Sequence, residues 1–328
     1  MHGGSTVRRK RSAGPTGGGR AAGRRHLPVL FSVSYAGLWG QAKLSLEEFI
    51  PHARALGYPA VELMGKRPHL SPLDWPEERV AALRDLCARH EVQVACVAAY
   101  TDFGAGALEA AEVPFADIQA QYVESLARIA RSLNCGLVRI FTAYERDGVP
   151  LPRLWDRTIE AIRLCCDRCA SHEVAVGLQN HHDVGVHTRS LLELLGDVDR
   201  PNCKLMLDPW SPCLRGEELS ETARRAAPHV VYTTLADYIR LPRYKYHPSL
   251  VNYERRPDDW VRAVPMGEGD LDTLAFLRGL EAGGFTGPIA YEMCSPLRGG
   301  GSRANLDRCA RQFLTWLANA DLGSATGT

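Results

Sequence analysis

The chain has 328 residues, a formal net charge of +1, 45% hydrophobic residues and 23% charged ones. This is the balance of a globular protein long enough to bury a full core, not of a disordered or fibrous chain. Near-neutrality gives no global attraction to nucleic acid or an anionic membrane. No apolar run approaches the roughly eighteen residues that a membrane span needs.

Charge is distributed unevenly. Arg8, Arg9, Lys10, Arg11, Arg20, Arg24 and Arg25 precede the first apolar run at Leu27–Phe31 with no acid among them. Residues 1–27 are rich in Gly, Arg and Ser and offer almost nothing to bury, so they are expected to form a disordered basic tail. Residues 28–322 are expected to form one acidic domain. The tail lacks the apolar stretch of a secretory signal, and the expectation is a soluble, cytoplasmic protein.

In chain order, short apolar runs predict strands at Val29–Tyr35, Ala60–Met64, Val92–Ala99, Leu137–Phe141, Val174–Gln179, Cys203–Asp208, Val230–Thr234 and Ile289–Glu292. Most are continuously hydrophobic, as parallel strands buried on both faces are. Three- and four-residue periodicity predicts helices between them. They fall at Ser45–Leu56, Pro76–His90, Phe115–Leu133, Leu151–His172, Thr188–Leu195, Arg215–Ala227, Asp270–Ala282 and Asn305–Ala320. Ser45 with Glu48 has the spacing of a capping box. Eight strands, each followed by a helix, predict a single-domain α/β protein, a (β/α)8 TIM barrel, with a doubly wound open sheet as the alternative. From Asp237 to about Pro265 no regular element is evident, but Tyr238, Tyr244, Tyr246 and Tyr253 are interleaved with basic residues. This stretch is expected to be an ordered loop over the barrel mouth, or a surface for a partner chain. The CxxC-spaced group Cys165, Cys166 and Cys169 lacks the second pair of a structural zinc site, and these thiols, like Cys294, are expected to pack as small hydrophobes.

Barrel enzymes carry their chemistry at the carboxyl ends of the strands. There the runs stop at Glu62 with Lys66 beyond, at Tyr100-Thr-Asp102, at Arg139, at Gln179-Asn-His181-His182-Asp183, at Asp208, at Thr234 with Asp237 beyond, and at Glu292. Each alone fits a turn, a cap or a rim ion pair. Several buried carboxylates at one end need a cation, a ligand or one another. A divalent metal (Mn, Mg or Zn) held by Asp208, Glu292 and Gln179, with a nearby imidazole, would meet that need.

Several of these segments together resemble a known group. Gly57-Tyr-Pro-Ala-Val-Glu-Leu63, Val176-Gly-Leu-Gln-Asn-His181, Leu205-Met-Leu-Asp208, Val264-Pro-Met-Gly-Glu-Gly-Asp270 and Gly287-Pro-Ile-Ala-Tyr-Glu292 are similar to the xylose-isomerase-like barrel superfamily, in particular its sugar phosphate isomerase/epimerase branch. The resemblance implies a divalent metal at the barrel mouth, with Asp208 at the sixth-strand aspartate position and Glu292 at the eighth-strand glutamate. The fifth-strand glutamate position falls on Gln179 and the seventh-strand histidine position on Thr234. Because an amide cannot act as a base, a two-glutamate epimerisation is disfavoured. Glu292, His181 and His182 are the expected catalytic groups, and Glu62, Lys66, Arg139 and Asp237 the expected substrate-binding ones. The activity this implies is proton abstraction beside a carbonyl, by a metal-dependent isomerase, epimerase or lyase acting on a sugar, keto-sugar or cyclitol. The alternative is a non-catalytic sugar-binding or partner-dependent subunit. A homo-oligomer or a small partner chain is compatible with the aromatic loop; no membrane or nucleic-acid partner is expected.

Overall fold

A computed structural model of the chain describes residues 26–109, 112–294 and 296–320. Eight short strands close into a parallel barrel: β1 (Pro28–Phe31), β2 (Ala60–Met64), β3 (Gln93–Ala98), β4 (Leu137–Ile140), β5 (Ala175–Gln179), β6 (Cys203–Leu207), β7 (Val230–Leu235) and, after the strands β8–β11 described below, β12 (Ile289–Tyr291). Neighbours in sequence are neighbours in the barrel, and β12 closes it between β7 and β1. The tail reading for residues 1–25 lies outside the described residues. His26 and Leu27, assigned above to the tail, belong to the folded body instead. The His26 ring is buried, stacks on Phe285 and contacts Glu281 Oε1 at 2.7 Å, while the Leu27 carbonyl accepts from Ile289 N.

The predicted helices form α1 (Leu46–Leu56), α2 (Glu77–Arg89), α3 (Phe115–Ser132), α4 (Leu151–Ala170), α5 (Thr188–Val198), α6 (Trp210–Leu214), α7 (Leu219–Ala226), α8 (Thr273–Ala282) and α9 (Arg303–Asn319). Ser45 and Glu48 close the expected capping box at the start of α1. Two differences have local causes. The first strand stops at Phe31, and the chain curls through a 3-10 turn at Ser32–Tyr35 whose Ser32 and Ser34 hydroxyls accept from Met64 N and Met293 N. The helix expected at Arg215–Ala227 begins only at Leu219, as α7, because Gly216 adopts a left-handed φ of 71°, and the short α6 ahead of it was not expected.

The core has two parts. The larger lies between the sheet and the surrounding helices. The smaller joins Val29, Ala60, Cys96, Met206, Tyr232 and Ala290, six residues on six different barrel strands, so it fills the barrel interior. Strand side chains alternate with period two. The residues two positions on therefore form the next interior layer towards the carboxyl end: Phe31, Glu62, Ala98, Asp208, Thr234 and Glu292. Arg139 follows Leu137 in the same way, and Gln179 follows Gly177.

The stretch Asp237–Pro265 is not irregular. β8 (Asp237–Leu241) pairs antiparallel with β11 (Trp260–Val264), and the ribbon continues as β9 (Tyr244–His247) against β10 (Asn252–Arg255). A two-stranded ribbon that leaves the barrel has no sheet face to bury, so its pattern is written in cross-strand pairs, Tyr246 opposite Tyr253 and Lys245 opposite Glu254, rather than in apolar alternation. All ten cysteines are free. Cys165, Cys166 and Cys169 are buried as expected. Among the described residues no helix is long and apolar enough to cross a membrane.

Candidate active site

The polar layer at the carboxyl end opens into a cavity of two connected lobes. The larger, about 400 Å³, lies over Phe31, Tyr100, Arg139 and Phe141. The smaller, about 250 Å³, lies over Asp208, Trp210, Thr234 and Tyr238. Gln179, His181, His182, Glu292, Cys294 and Tyr144 line both. Five of the sequence-derived site residues (Gln179, His181, His182, Asp208 and Glu292) thus meet in one cavity, with Arg139 at its floor.

Arg139 rises from β4 with its guanidinium among three aromatic rings, those of Phe141, Tyr100 and Phe31, at 4.2, 4.9 and 5.4 Å. It is 2% exposed. Nη1 donates to Gln179 Oε1 at 3.0 Å and Nη2 makes a long contact to Ala99 O, while Nε has no acceptor. An arginine can only donate, so the atom facing it must be the amide oxygen. The Gln179 NH2 therefore faces Asp208 Oδ2, at 3.4 Å. Asp208 is buried, and its Oδ1 accepts from Trp210 N and Ser211 N, so it also caps the turn into α6. Asn180 ties the ends of β5 and β6 together through paired bonds to Asp208 N and O.

His181 and His182 follow β5. The Thr101 carbonyl, 3.0 Å from His182 Nε2, requires an N–H there, and the two Nδ1 atoms lie 2.8 Å apart. His181 Nδ1 also faces the His182 backbone N–H at 2.9 Å, so it lies between a donor and the His182 Nδ1 acceptor, and His181 Nε2 is the ring atom of the pair left to meet a ligand. Phe141 stacks on His181 and Tyr144 on His182. His182 itself sits at φ 66°, a conformation that a non-glycine residue adopts at a cost. The Thr142 hydroxyl bonds to His181 O and Gly185 N, and so holds the loop in that shape. Burial pushes His181 down to about 3 and His182 to about 4, so both rings are neutral at pH 7.

The carboxylates move the other way. Burial, opposed by Arg139 and reinforced by Glu62 and Asp208, raises Glu292 to about 8. Burial raises Asp208 to about 6, against the hydrogen bonds from Ser211 and Trp210. At neutral pH Glu292 holds its proton and Asp208 has mostly lost its own.

Three expected substrate-binding residues do not reach the cavity. Glu62 is 0% exposed and lies beneath it, accepting from Tyr232 OH at 3.0 Å and facing Arg139 Nη1 at 3.9 Å. It supports the floor and cannot touch a ligand. Lys66 turns over the outer face of Tyr100, its Nζ 3.8 Å from the ring centroid. Asp237 is a structural anchor: its carboxylate accepts from Gly267 N, Gly269 N and Tyr238 N and ties the Met266–Asp270 turn to the end of β7. A methyl at Gly269 would lie 1.9 Å from Asp237 Oδ1, so this contact requires glycine. Cys294, expected to pack as a hydrophobe, instead lines the cavity with its Sγ 2.9 Å from Tyr238 OH. Its position two residues after Glu292 was the available signal. Tyr144 and Trp39, also in the wall, come from loops that carry no periodicity.

The same residues can be tested as a metal site. Zinc sites draw on Cys, His and carboxylate ligands, at least three of them from the protein. Among the described residues no group of three or more His, Cys, Asp or Glu could hold a metal. Gln179 has its ligating oxygen committed to Arg139, Asp208 has Oδ1 committed to the backbone, and Thr234 offers a neutral hydroxyl. The expected set Gln179, Asp208 and Glu292 does not fit a resident divalent metal.

A closed parallel barrel of eight strands with its polar residues gathered at one mouth is the architecture of the (β/α)8 barrels. The model of the xylose isomerase-like TIM barrel family matches residues 50–318, and the chain belongs to that family. A 3-dehydroshikimate dehydratase of Bacillus anthracis is 24% identical over 169 residues, a match that spans 50% of this chain and only 56% of that enzyme. Among solved structures, the probable 3-DHS dehydratase AsbF of B. anthracis superposes with a TM-score of 0.65 at 17% identity, covering 88% of this chain and 98% of its own. The D-psicose 3-epimerase of Clostridium cellulolyticum H10 gives 0.67 at 13%, covering 89% and 98%. An IolI protein with a bound zinc gives 0.69 at 13%, covering 90% and 99%. At these identities the likeness is one of fold. The neighbours include dehydratases and epimerases built on it.

Proposed function

We propose that this chain is an enzyme that removes a proton beside the carbonyl of a small polyhydroxylated ketone, a keto-sugar or keto-cyclitol, and expels water from the neighbouring carbon. The observation that carries this reading is the pairing of a neutral His181, with Nε2 free, and a protonated Glu292 in one cavity. A base and an acid are present together at neutral pH, as an elimination needs. In the tautomer whose Nδ1–H is held by His182 Nδ1, His181 Nε2 takes the C–H proton, and the Arg139 guanidinium faces the negative charge that develops on the carbonyl oxygen. Glu292 gives its proton to the departing hydroxyl, which leaves as water while the C–C double bond forms. Solvent then reprotonates Glu292 and takes the proton from His181. Epimerisation between two opposed bases is less well supported, because Gln179 cannot serve as one. The metal dependence implied by the resemblance is not carried into this reading.

A second reading, a non-catalytic binder of the same ligands, is favoured by one observation: neutral Gln179 and Thr234 stand where the resemblance places glutamate and histidine. Hydrogen–deuterium exchange separates the two. Purified protein is incubated in D2O with 3-dehydroshikimate, inososes and ketoses, and NMR follows both the α-proton and any dehydrated product. The expected result is exchange and water loss with one of these, slowed about 10²–10⁴-fold in His181→Asn. Glu292→Gln is expected to keep exchange and lose dehydration. A compound that binds but never exchanges its α-proton overturns the enzymatic reading.

A further inference from the structure

We infer that this barrel has replaced a resident divalent metal with a resident cation of its own, the Arg139 guanidinium, and that the centre binds its ligand without metal. The inference deepens the reading above by naming what neutralises negative charge at the reacting end of the ligand.

Three observations converge on it. Arg139 is almost fully enclosed, framed by Phe31, Tyr100 and Phe141, and forms part of the cavity floor with Nε–H lacking any protein acceptor. A buried donor without a partner is costly, and the incompletely compensated positive charge in the cavity floor favours an oxyanion on the ligand above it. Gln179 is locked the wrong way round for a metal. Its oxygen accepts from Arg139 Nη1 and its NH2 is presented to Asp208, so ligation through Gln179 would break the Arg139 bond and leave a second guanidinium N–H unpartnered. Asp208 spends Oδ1 on two backbone N–H groups and meets the Gln179 NH2 with Oδ2. The wall also carries His181 and Cys294 beside Asp208 and Glu292, yet among the described residues no three His, Cys, Asp or Glu groups come together as a metal site. The same exchange explains why the glutamine is tolerated: an amide bridges a cation and a carboxylate, donating to one and accepting from the other, as a glutamate could not.

The consequence concerns ligand class. A metal gathers neutral vicinal oxygens, such as a carbonyl with an adjacent hydroxyl. A guanidinium selects for charge, a carboxylate or an enolate oxygen, through directed N–H bonds. The ligand is therefore expected to be an anion or to become one on the way to the transition state.

Metal binding by the full-length protein tests this independently of any turnover. Wild type and Asp208→Asn are stripped with EDTA, equilibrated with Mn²⁺ or Zn²⁺ alone, desalted and analysed for metal. The expected result is that the two proteins carry the same metal, so that none depends on Asp208. The double variant Gln179→Glu/Thr234→His supplies two strong donors and is expected to gain one equivalent that Asp208→Asn then removes. One equivalent in the wild type that is lost in Asp208→Asn overturns the inference. A folded double variant that binds no extra metal also overturns it, because Gln179 and Thr234 would then not be what keeps metal out. Should the double variant fail to fold, the comparison of wild type with Asp208→Asn still decides. Loss of α-proton exchange with unchanged metal content would remove the proposed reaction but leave this inference standing. EDTA-sensitive exchange restored by Mn²⁺ would do the reverse.

Discussion

Replacing Arg139 by leucine removes, among the described residues, the only cation that faces Glu62 within 4 Å, and the consequence can be worked out from the barrel interior. Glu62 is 0% exposed, its Oε1 has no hydrogen-bond partner, and its Oε2 has one, Tyr232 OH. Burial raises its carboxyl from the ordinary 4.5 to about 7, and Arg139 and the Tyr232 hydroxyl hold it from rising further. A carboxyl raised on folding contributes fully below its unfolded value and loses that contribution as pH climbs to the folded one. For wild type this amounts to about 3 kcal/mol between pH 4.5 and 7, at about 1.4 kcal/mol per pH unit. Without Arg139 the folded value moves higher still, so the loss continues above pH 7. Breaking a buried pair by removing one partner costs about 3–5 kcal/mol, and here the charge-dependent part of that cost should appear only in alkaline solution. Urea unfolding of wild type, Arg139→Leu, Glu62→Gln and the double variant, at about pH 5 and about pH 8.5, forms a double-mutant cycle. The leucine variant is expected to be weakened more at the higher pH, and the excess to shrink in the Glu62→Gln background to the part that Glu292, also held down by Arg139, contributes. An equal loss at both pH values in both backgrounds would refute the reasoning, since Arg139 would then matter through packing alone.

Two further outcomes follow from contacts described above. Gly269→Ala is expected to destabilise by several kcal/mol, because its methyl would collide with Asp237 Oδ1 and the Tyr238 carbonyl, both held by the turn itself. Because Asp237→Ala removes the same anchor, the two changes combined should cost much less than their sum in a denaturant titration. Thiol titration should find ten reactive cysteines in the denatured chain and, in the native one, only Cys213 and Cys294, the two that are partly rather than fully buried. Burial raises the Cys294 thiol well above its usual range, so it should react slowly at neutral pH. A cavity ligand should protect Cys294 and leave Cys213 unchanged.

Local pattern alone was enough to read the architecture. Continuous apolar runs cannot be satisfied at the surface, amphipathic stretches must cover them, and eight alternations of the two leave a closed parallel barrel as the economical arrangement. The same reasoning located Gln179, His181, Asp208 and Glu292, because a polar residue where an apolar strand stops must sit at the barrel mouth. What each polar residue does there was a tertiary matter. Asp237 and Gln179 look alike in the sequence, each a hydrogen-bonding group at the end of a strand. One turns away to hold the Gly267–Gly269 turn, and the other is clamped between a guanidinium and a carboxylate. Glu62 reads as a rim residue, yet its side chain turns to the buried Tyr232 hydroxyl and is sealed from the cavity. The ribbon β8–β11 escaped detection because cross-strand pairing, not burial, holds it together. Strand and helix periodicities are properties of neighbours along the chain. The direction in which a hydrogen bond runs, and the protonation it imposes, depends on groups brought together from Tyr100, Arg139, Gln179 and Asp208, and only the folded barrel decides that.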